Sequence, residues 1–154
     1  MSRGLEQIWP DLGLRAGVVP FRSTAAFGTE ILLIRRPAHR FWSLPKGHLM
    51  ADHEPHVSAA IEAYEEAGVR GRVHPVPLGN YRHVKSPSDF SAGGEVVEVI
   101  LFPLEVQAIS EQWPEMNLRE RRWIRQDEVS EWVAPGQLRE ILAAFVPSTA
   151  SECA

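Results

Sequence analysis

Three glutamates, Glu62, Glu65 and Glu66, fall within five consecutive positions of the chain. On a helix this spacing puts like charges one turn apart, where they repel each other. No lysine or arginine lies between Lys46 and Arg70 to offset them. Carboxylate oxygens are ligands that Mg²⁺ prefers, and this ion commonly takes one or two carboxylates together with water and substrate phosphates. The cluster therefore predicts a divalent-cation site, with a solvated acidic helix face as the alternative.

The segment from Gly47 to Val69 resembles the signature of the Nudix hydrolases, G-x(5)-E-x(7)-R-E-U-x-E-E-x-G-U, in which U is a bulky aliphatic residue. The matching positions are Gly47, Glu62, Glu65, Glu66, Gly68 and Val69. His53 stands where the signature has its first glutamate, and Ile61 stands where it has arginine. Outside this motif, "LPKGHL", "LGNYRHVK", "VILFPLEV" and "WPEMNLRERRWI" are similar to the branch that contains the diphosphoinositol polyphosphate phosphohydrolases.

The resemblance implies a hydrolase that cleaves a diphosphate linkage in a small phosphorylated metabolite, with Mg²⁺ or Mn²⁺ as its cofactor. Its substrate would be a nucleoside diphosphate derivative, a dinucleoside polyphosphate or a diphosphoinositol polyphosphate. The metal ligands that it implies are the Gly47 carbonyl and the carboxylates of Glu62, Glu65 and Glu66. Glu62 and Glu66 would be the catalytic residues. An additional acid outside the motif is common in the family, and the candidates are Glu115 and Glu120.

The two departures from the signature leave a second function open. A chain that lacks the motif arginine and the first glutamate could be a catalytically weakened Nudix-like module that binds a phosphorylated ligand. The intact Glu62, Glu65 and Glu66 favour the enzyme. We expect a weak, metal-dependent hydrolase in which a protonated His53 partly replaces the missing cation beside Glu62.

Basic side chains near the motif are candidates for holding the phosphates that do not react. They are Arg36, Arg40, Lys46, His48, Arg82 and Lys85, and we expect about half of them to be solvated edge charges instead. Adjacent residues of a strand point to opposite faces, so we expect Arg35 and Arg36 not to line the same pocket. A zinc site is a weaker alternative, because the spacing of His39, His48, His53 and His56 matches no regular zinc pattern.

The element that must position the glutamates is a helix. It is predicted to begin near Glu54 or Pro55, with Asp52 as its cap, and to end at Gly68. Its faces are predicted to be an apolar stripe, a small-residue face for close packing and an acidic side at the edge of the core. In that order the members are Val57, Ile61 and Tyr64; then Ala60, Ala63 and Ala67; then the three glutamates.

The rest of the chain predicts strands on both sides of this helix. The strand segments are 14–22, 30–36, 76–85, 94–106 and 121–125, a loop covers 41–49, and further helices cover 127–133 and 136–145. Pro20 predicts a sheet edge or bend. This order favours an α+β fold, a Nudix-like α/β/α sandwich around a central mixed sheet.

Length and composition limit the remaining possibilities. A chain of 154 residues predicts one domain over 1–154, with the Nudix-like motif at 47–69. A net charge of −4 argues against a general nucleic-acid binder. The most apolar stretch, residues 96–106, is too short to span a membrane and contains Glu98 and Glu105. With a single cysteine, Cys153, and no signal-peptide pattern, we expect a cytoplasmic protein, either a monomer or a homodimer.

Overall fold

A computed structural model describes residues 13–84 and 96–147. Within these ranges the chain forms seven strands, two α-helices and one 3-10 helix. In chain order the elements are β1 Leu14–Thr24, β2 Gly28–Arg35, β3 Lys46–His48, α1 Pro55–Ala67, β4 Val69–Val73, β5 Gly79–Val84, β6 Val96–Ile109, β7 Glu120–Arg125, the 3-10 helix Gln126–Glu131 and α2 Gln137–Ala144. Neither α-helix is long and apolar enough to cross a membrane.

The seven strands form one mixed sheet. Its order is β4-β6-β1-β2-β7, with β3 paired to β1 and β5 paired to β6. The central strands β1 and β6 are parallel, from the pair Leu14 and Glu98 to the pair Phe21 and Glu105. The other strand pairs are antiparallel. The predicted mixed sheet is confirmed.

A hydrophobic core lies on each face of the sheet, because alternate side chains of the strands point to opposite sides. On one face, Ala16, Val18 and Phe102 pack against α1. On the other face, Val19, Leu101 and Tyr81 belong to a core that also contains Leu142 of α2 and Val129 of the 3-10 helix. The α+β sandwich predicted from the order of elements is therefore confirmed.

The small-residue face of α1 packs on the sheet, as predicted, except that Ala59 and not Ala60 is its third fully buried alanine. Ala59, Ala63 and Ala67 are fully buried, whereas the predicted stripe of Val57, Ile61 and Tyr64 is only half-buried. Alanines spaced four residues apart leave no bulk between the helix and β1, so the helix backbone approaches the sheet closely. The tyrosine of the predicted stripe is covered instead by the guanidinium of Arg70, 4.0 Å from its ring centre.

The ends of α1 agree with the prediction in two of three respects. Pro55 occupies the first turn, and Gly68 ends the helix with a φ of 69°. That left-handed conformation favours glycine. Asp52 is not the cap, because the capping position is Glu54, whose side chain makes no capping hydrogen bond.

Two strands were not predicted from the sequence. Residues 46–48, predicted to be a loop, form β3 through pairing with Arg15, Ala16 and Gly17 of β1. The strand β4 follows directly after α1, and its exposed Arg70 and Arg72 alternate with less exposed neighbours. The sequence contains this alternation, but over so few residues it is a weaker signal than the helix pattern just before it.

Two further predictions need correction. Pro20 lies within the central strand β1, not at a sheet edge; it falls between the residues that pair with β3, 15–17, and those that pair with β2, 21–24. A residue without an N–H is tolerated there because neither β2 nor β3 pairs with position 20; on its other side Pro20 pairs with Leu104 of β6. The predicted helix over 127–133 is a 3-10 helix at Gln126–Glu131.

Candidate active site

Gly47 and Glu62 are brought into close contact by β3 and α1. A Cβ atom added to Gly47 would overlap the carboxyl group of Glu62. Because β3 pairs with β1, which also packs against α1, the backbone of Gly47 is held close to the helix. Any side chain at position 47 would displace the carboxylate, so the site requires glycine for its small size.

Glu66 is buried, with only 7% of its surface exposed. Its Oε1 accepts a hydrogen bond from the backbone N–H of Lys46 at 3.2 Å. Its Oε2 accepts one from Nη2 of Arg119 at 3.3 Å. Both oxygens of this carboxylate are therefore oriented by donors from other elements of the fold.

Burial and mutual repulsion change the acidity of the two glutamates. Burial, followed by the charges of Glu66, Glu65 and Glu115, raises the pKa of Glu62 to about 7, although Arg119 opposes the shift. Burial also raises the pKa of Glu66, against the charges of Arg119 and Lys46. A cation bound between the carboxylates would relieve this repulsion and lower both pKa values.

The C-terminal end of α1 is completed by the segment after β6. The last four carbonyl oxygens of a helix have no partner inside it. Here each accepts a hydrogen bond: Tyr64 from the N–H of Gly68 (2.9 Å), Glu65 from the N–H of Glu115 (3.0 Å), Glu66 from Nε1 of Trp113 (2.9 Å) and Ala67 from Nη1 of Arg121 (2.7 Å). Three of these donors lie between residues 113 and 121, so this segment holds the end of the helix that carries the glutamates.

The glutamates open onto a large basic cavity with a volume of about 1140 Å³. Its lining contains two acids, Glu62 and Glu66. The lysine and arginine residues that line it are Arg15, Arg35, Arg36, Arg40, Lys46, Arg82 and Arg119. Such an excess of positive side chains around two carboxylates suits a ligand with several negative groups.

The cavity brings together most of the candidate substrate-binding residues. Its lining includes Arg36, Arg40, Lys46, His48 and Arg82, whereas Lys85 lies outside the described residues. The expectation that Arg35 and Arg36 would not share a pocket is wrong, since both line this one. Strand β2 ends at Arg35, so the alternation of side chains does not extend to its neighbour.

The site offers a metal ion fewer side-chain ligands than the motif implies. In the parts of the chain that the structure describes, no group of three or more His, Cys, Asp or Glu side chains is arranged to hold one. Glu62 and Glu66 line the cavity together with Gly47, but Glu65 is not among the lining residues. Two carboxylates nevertheless fit Mg²⁺, which keeps several waters and takes oxygen ligands from substrate phosphates.

The two acids proposed outside the motif lie in different places. Glu115 pairs with Nε of Arg119 at 3.1 Å, and its charge contributes to the raised pKa of Glu62, after burial, Glu66 and Glu65. Glu120 lies on β7 and pairs at 2.7 Å with Arg35, which lines the cavity. Of the two, Glu115 is the one that reaches the glutamate cluster.

The histidines do not come together as a zinc site among the described residues. His39 and His48 line the cavity. His53 is exposed in the turn before α1, and His56 lies 3.8 Å from Glu54. The cation that acts on the pKa of Glu62 is Arg119.

Three residues of the site were missed in the sequence. Arg119 and Trp113 contact Glu66, and the four-residue spacing of Glu115 and Arg119 was the available signal. Tyr81 lines the cavity with 3% of its surface exposed, and burial raises the pKa of its phenol, with a smaller opposing effect of Ser43. Its hydroxyl has no hydrogen-bond partner of good geometry in the described parts of the chain, so Ser43 is a neighbour only.

Comparison with known proteins adds independent information. The family model described as NUDIX domain matches residues 11–147. Nudix hydrolase 21, chloroplastic, from Arabidopsis thaliana is 32% identical over 133 residues, which cover 84% of this chain. The match covers 64% of that relative, so the chain spans less than two thirds of its length.

Solved structures share the fold. The C. elegans Ap4A hydrolase aligns with a TM-score of 0.57 at 20% identity, over 85% of this chain and 93% of that one. The NUDIX domain of Shewanella oneidensis NrtR, complexed with ADP ribose, aligns with a TM-score of 0.62 at 17% identity, over 90% and 89% of the two chains. At these identities the likeness concerns the fold alone.

Proposed function

Because the chain belongs to the Nudix family, we propose that it is a metal-dependent hydrolase that cleaves a diphosphate linkage in a polyanionic metabolite. The observation that carries this proposal is the cavity, in which seven lysine and arginine side chains surround two carboxylates. A dinucleoside polyphosphate or a diphosphoinositol polyphosphate has enough negative groups to use them. A nucleoside diphosphate sugar has fewer. The resemblance to the diphosphoinositol polyphosphate phosphohydrolase branch is part of this proposal.

The metal ligands in this proposal are Glu66, Glu62 and Glu65 together with the carbonyl of Gly47. Bound Mg²⁺ or Mn²⁺ would neutralise phosphate oxygens and lower the pKa of a coordinated water. The buried Glu66 is oriented from both sides, by Lys46 and Arg119, which suits a fixed ligand. The Glu62 carboxyl lies against the backbone of Gly47, in the space that a side chain would fill.

Glu62 is the proposed general base. In the reaction a water oxygen forms a bond to phosphorus, its proton passes to the Glu62 carboxylate, and the bond from phosphorus to the bridging oxygen breaks. A base works best when its pKa lies near the working pH. In the metal-free protein the pKa of Glu62 is raised to about 7, chiefly by burial. A bound cation would lower this pKa, so the proposed role rests on the position of Glu62 in the cavity, against the backbone of Gly47.

Arg36 and Arg40 are the proposed ligands of the phosphates that do not react. Both line the cavity, and neither makes an ion pair with an acid of the described residues. Arg82 is already paired with Glu98 at 3.3 Å, and Arg35 with Glu120. Unpaired guanidinium groups lose less when they bind a phosphate, because no existing ion pair has to break.

A module that binds a phosphorylated ligand without cleaving it is the alternative proposal. It is favoured by Ile61 and His53, which replace two signature residues, and by the incomplete metal geometry of the described residues. The NrtR domain in complex with ADP ribose is a relative in fold that binds such a ligand.

A single domain over 1–154 and a cytoplasmic location are further proposals, which limited proteolysis and cell fractionation would test.

The deciding experiment is a substrate panel assayed with Mg²⁺, with Mn²⁺ and with EDTA. The panel contains diphosphoinositol polyphosphates, dinucleoside polyphosphates and nucleoside diphosphate sugars. We expect slow, metal-dependent hydrolysis of the first two classes, and a kcat lower by a factor on the order of 100 in Glu62→Gln. Glu54→Gln removes an exposed charge just before the same helix and is the matched control. Binding without hydrolysis across the panel would support the alternative and exclude the enzyme.

A further inference from the structure

Arg119 bridges two carboxylates at the edge of the candidate active site. Its Nη2 lies 3.3 Å from Oε2 of Glu66, and its Nε lies 3.1 Å from Oε1 of Glu115. The side chains of Arg119, Glu66 and Glu115 are 18%, 10% and 28% exposed, respectively. Ion pairs screened from water to this degree are stronger than fully exposed ones. The bridge therefore fixes two side chains at once.

The backbone holds Arg119 in the position from which it bridges. The N–H of Glu115 donates to the carbonyl of Glu65, which attaches this turn to α1. The carbonyl of Glu115 then accepts from the N–H groups of Leu118 and Arg119, at 2.9 and 3.1 Å. The Arg119 side chain thus starts from a backbone that is tied to the helix carrying Glu66.

The motif of this chain lacks the arginine that could orient its glutamates. Ile61 stands at the arginine position of the motif and has no hydrogen-bond donor in its side chain. In the structure it is half-buried on α1. Arg119, which lies outside the motif, contacts the motif residue Glu66.

We propose that Arg119 is a positioning residue, which orients Glu66 and Glu115 from outside the motif and so supplies the guanidinium that position 61 lacks. The inference rests on the proposed hydrolase function. The two contacts use two different nitrogens of one planar group, a geometry that lysine cannot reproduce. An arginine that binds a substrate phosphate, in contrast, would contribute to substrate affinity, and its loss would raise KM. This difference makes the two roles separable.

The activity test compares Arg119→Met, Arg119→Lys and Arg36→Met, with the most rapidly cleaved member of the substrate panel. We expect kcat about 100-fold lower in Arg119→Met, with KM changed less than about threefold, because misplacement of a reacting group lowers the rate without weakening substrate binding. Arg119→Lys keeps the charge and should still lose at least about tenfold in kcat. Arg36→Met removes a proposed phosphate ligand from the same cavity and should raise KM with little loss of kcat.

Two results in this test would overturn the inference. One is wild-type kcat in Arg119→Lys, since charge alone would then suffice. The other is a raised KM with unchanged kcat in Arg119→Met, which would make Arg119 a substrate ligand. Should Arg119→Met fail to fold, Arg119→Lys carries the same comparison.

A second test needs no substrate. In EDTA, Arg119→Met should lower the Tm by at least about 2 °C, because it leaves Glu66 and Glu115 without their partner. Glu115→Gln should then cost less stability in the Arg119→Met background than in wild type, since contacting residues are not additive. Additive losses would overturn the inference. An inactive wild type with coupled losses would refute only the proposed hydrolase.

Discussion

At the scale of single residues, the two departures from the signature have different structural outcomes. Ile61 is half-buried on α1, as its apolar character suggests. His53 is exposed and does not take the place beside Glu62 that we expected for it. The cation near the glutamates comes from Arg119, at a distance in sequence that the motif spacing could not indicate. Of the three glutamates in the predicted cluster, Glu62 and Glu66 line the cavity and Glu65 does not, and the spacing did not indicate Arg119.

Glu62 should make the metal-free protein less stable as the pH rises. Its pKa is about 7 in the folded state, above the ordinary value of an unfolded chain. The folded state therefore binds more protons, and the stability gained below about pH 4.5 is lost as the pH rises through 7. We expect Glu62→Gln to have a higher Tm than wild type at pH 8 in EDTA, with the difference shrinking toward pH 5. A difference independent of pH would contradict the raised pKa.

Gly47→Ala should disable the site while keeping the fold. The added methyl group overlaps the Glu62 carboxyl, so that side chain must rotate away from the backbone of β3. We expect weaker Mn²⁺ binding by calorimetry and a destabilisation of about 1–3 kcal/mol. Gly79→Ala is the control, since its methyl group would meet only Ile141 at 3.8 Å. Unchanged Mn²⁺ binding in Gly47→Ala would show that this contact does not matter for the metal.

At the scale of elements, segments with a periodic pattern of their own could be predicted, whereas features that depend on contact with a distant segment could not. The helix α1 and the strands β1, β2, β6 and β7 have regular patterns of apolar residues, and all were predicted within a few residues. The strand β3 has three residues and no pattern of its own, because it exists through its pairing with β1. In the same way, nothing local indicates that residues 113–121 close the end of α1. Contacts between distant segments decide both features.

Trp113→Phe should loosen the end of α1. The indole N–H donates to the Glu66 carbonyl, and phenylalanine keeps the ring but loses the donor. Leaving a partly buried carbonyl without a partner costs about 1–3 kcal/mol. We expect a Tm lower by several degrees and faster hydrogen exchange in the last turn of α1. Trp123→Phe is the matched control, because the indole of Trp123 stacks on Arg22 without such a hydrogen bond among the described residues.

At the scale of the whole molecule, charge is unevenly distributed. The chain has a net charge of −4, yet the cavity is lined by seven lysine and arginine residues and two glutamates. The overall charge argues against a general nucleic-acid binder, but it concealed a basic site. Composition averages over the surface, whereas substrate attraction depends on the local potential in the cleft.

Added salt should therefore lower kcat/KM, because it weakens the attraction between the basic cavity and its substrate. Exposed charges are screened over about 10 Å at 0.1 M ionic strength. We expect kcat/KM for a polyanionic substrate to fall several-fold between 50 and 200 mM salt, about the range in which screening becomes effective. The double variant Arg36→Met with Arg40→Met should show a shallower dependence. Arg125→Met, which removes an exposed charge paired with Asp127, should keep the wild-type slope. If wild type, the double variant and Arg125→Met share one slope, the substrate is attracted by charges other than Arg36 and Arg40.

The parallel pairing of β1 with β6 has a consequence for how the protein is made. Leu14 meets Glu98, and the donors that complete α1 lie between residues 113 and 121. A nascent chain that has exposed only its first hundred residues at the ribosome thus has neither the centre of its sheet nor a completed motif helix. Because distant contacts form only after a large loss of chain entropy, folding has to wait for the C-terminal third. The hydrolase motif is contiguous in sequence, but no fragment that ends soon after it can build the site.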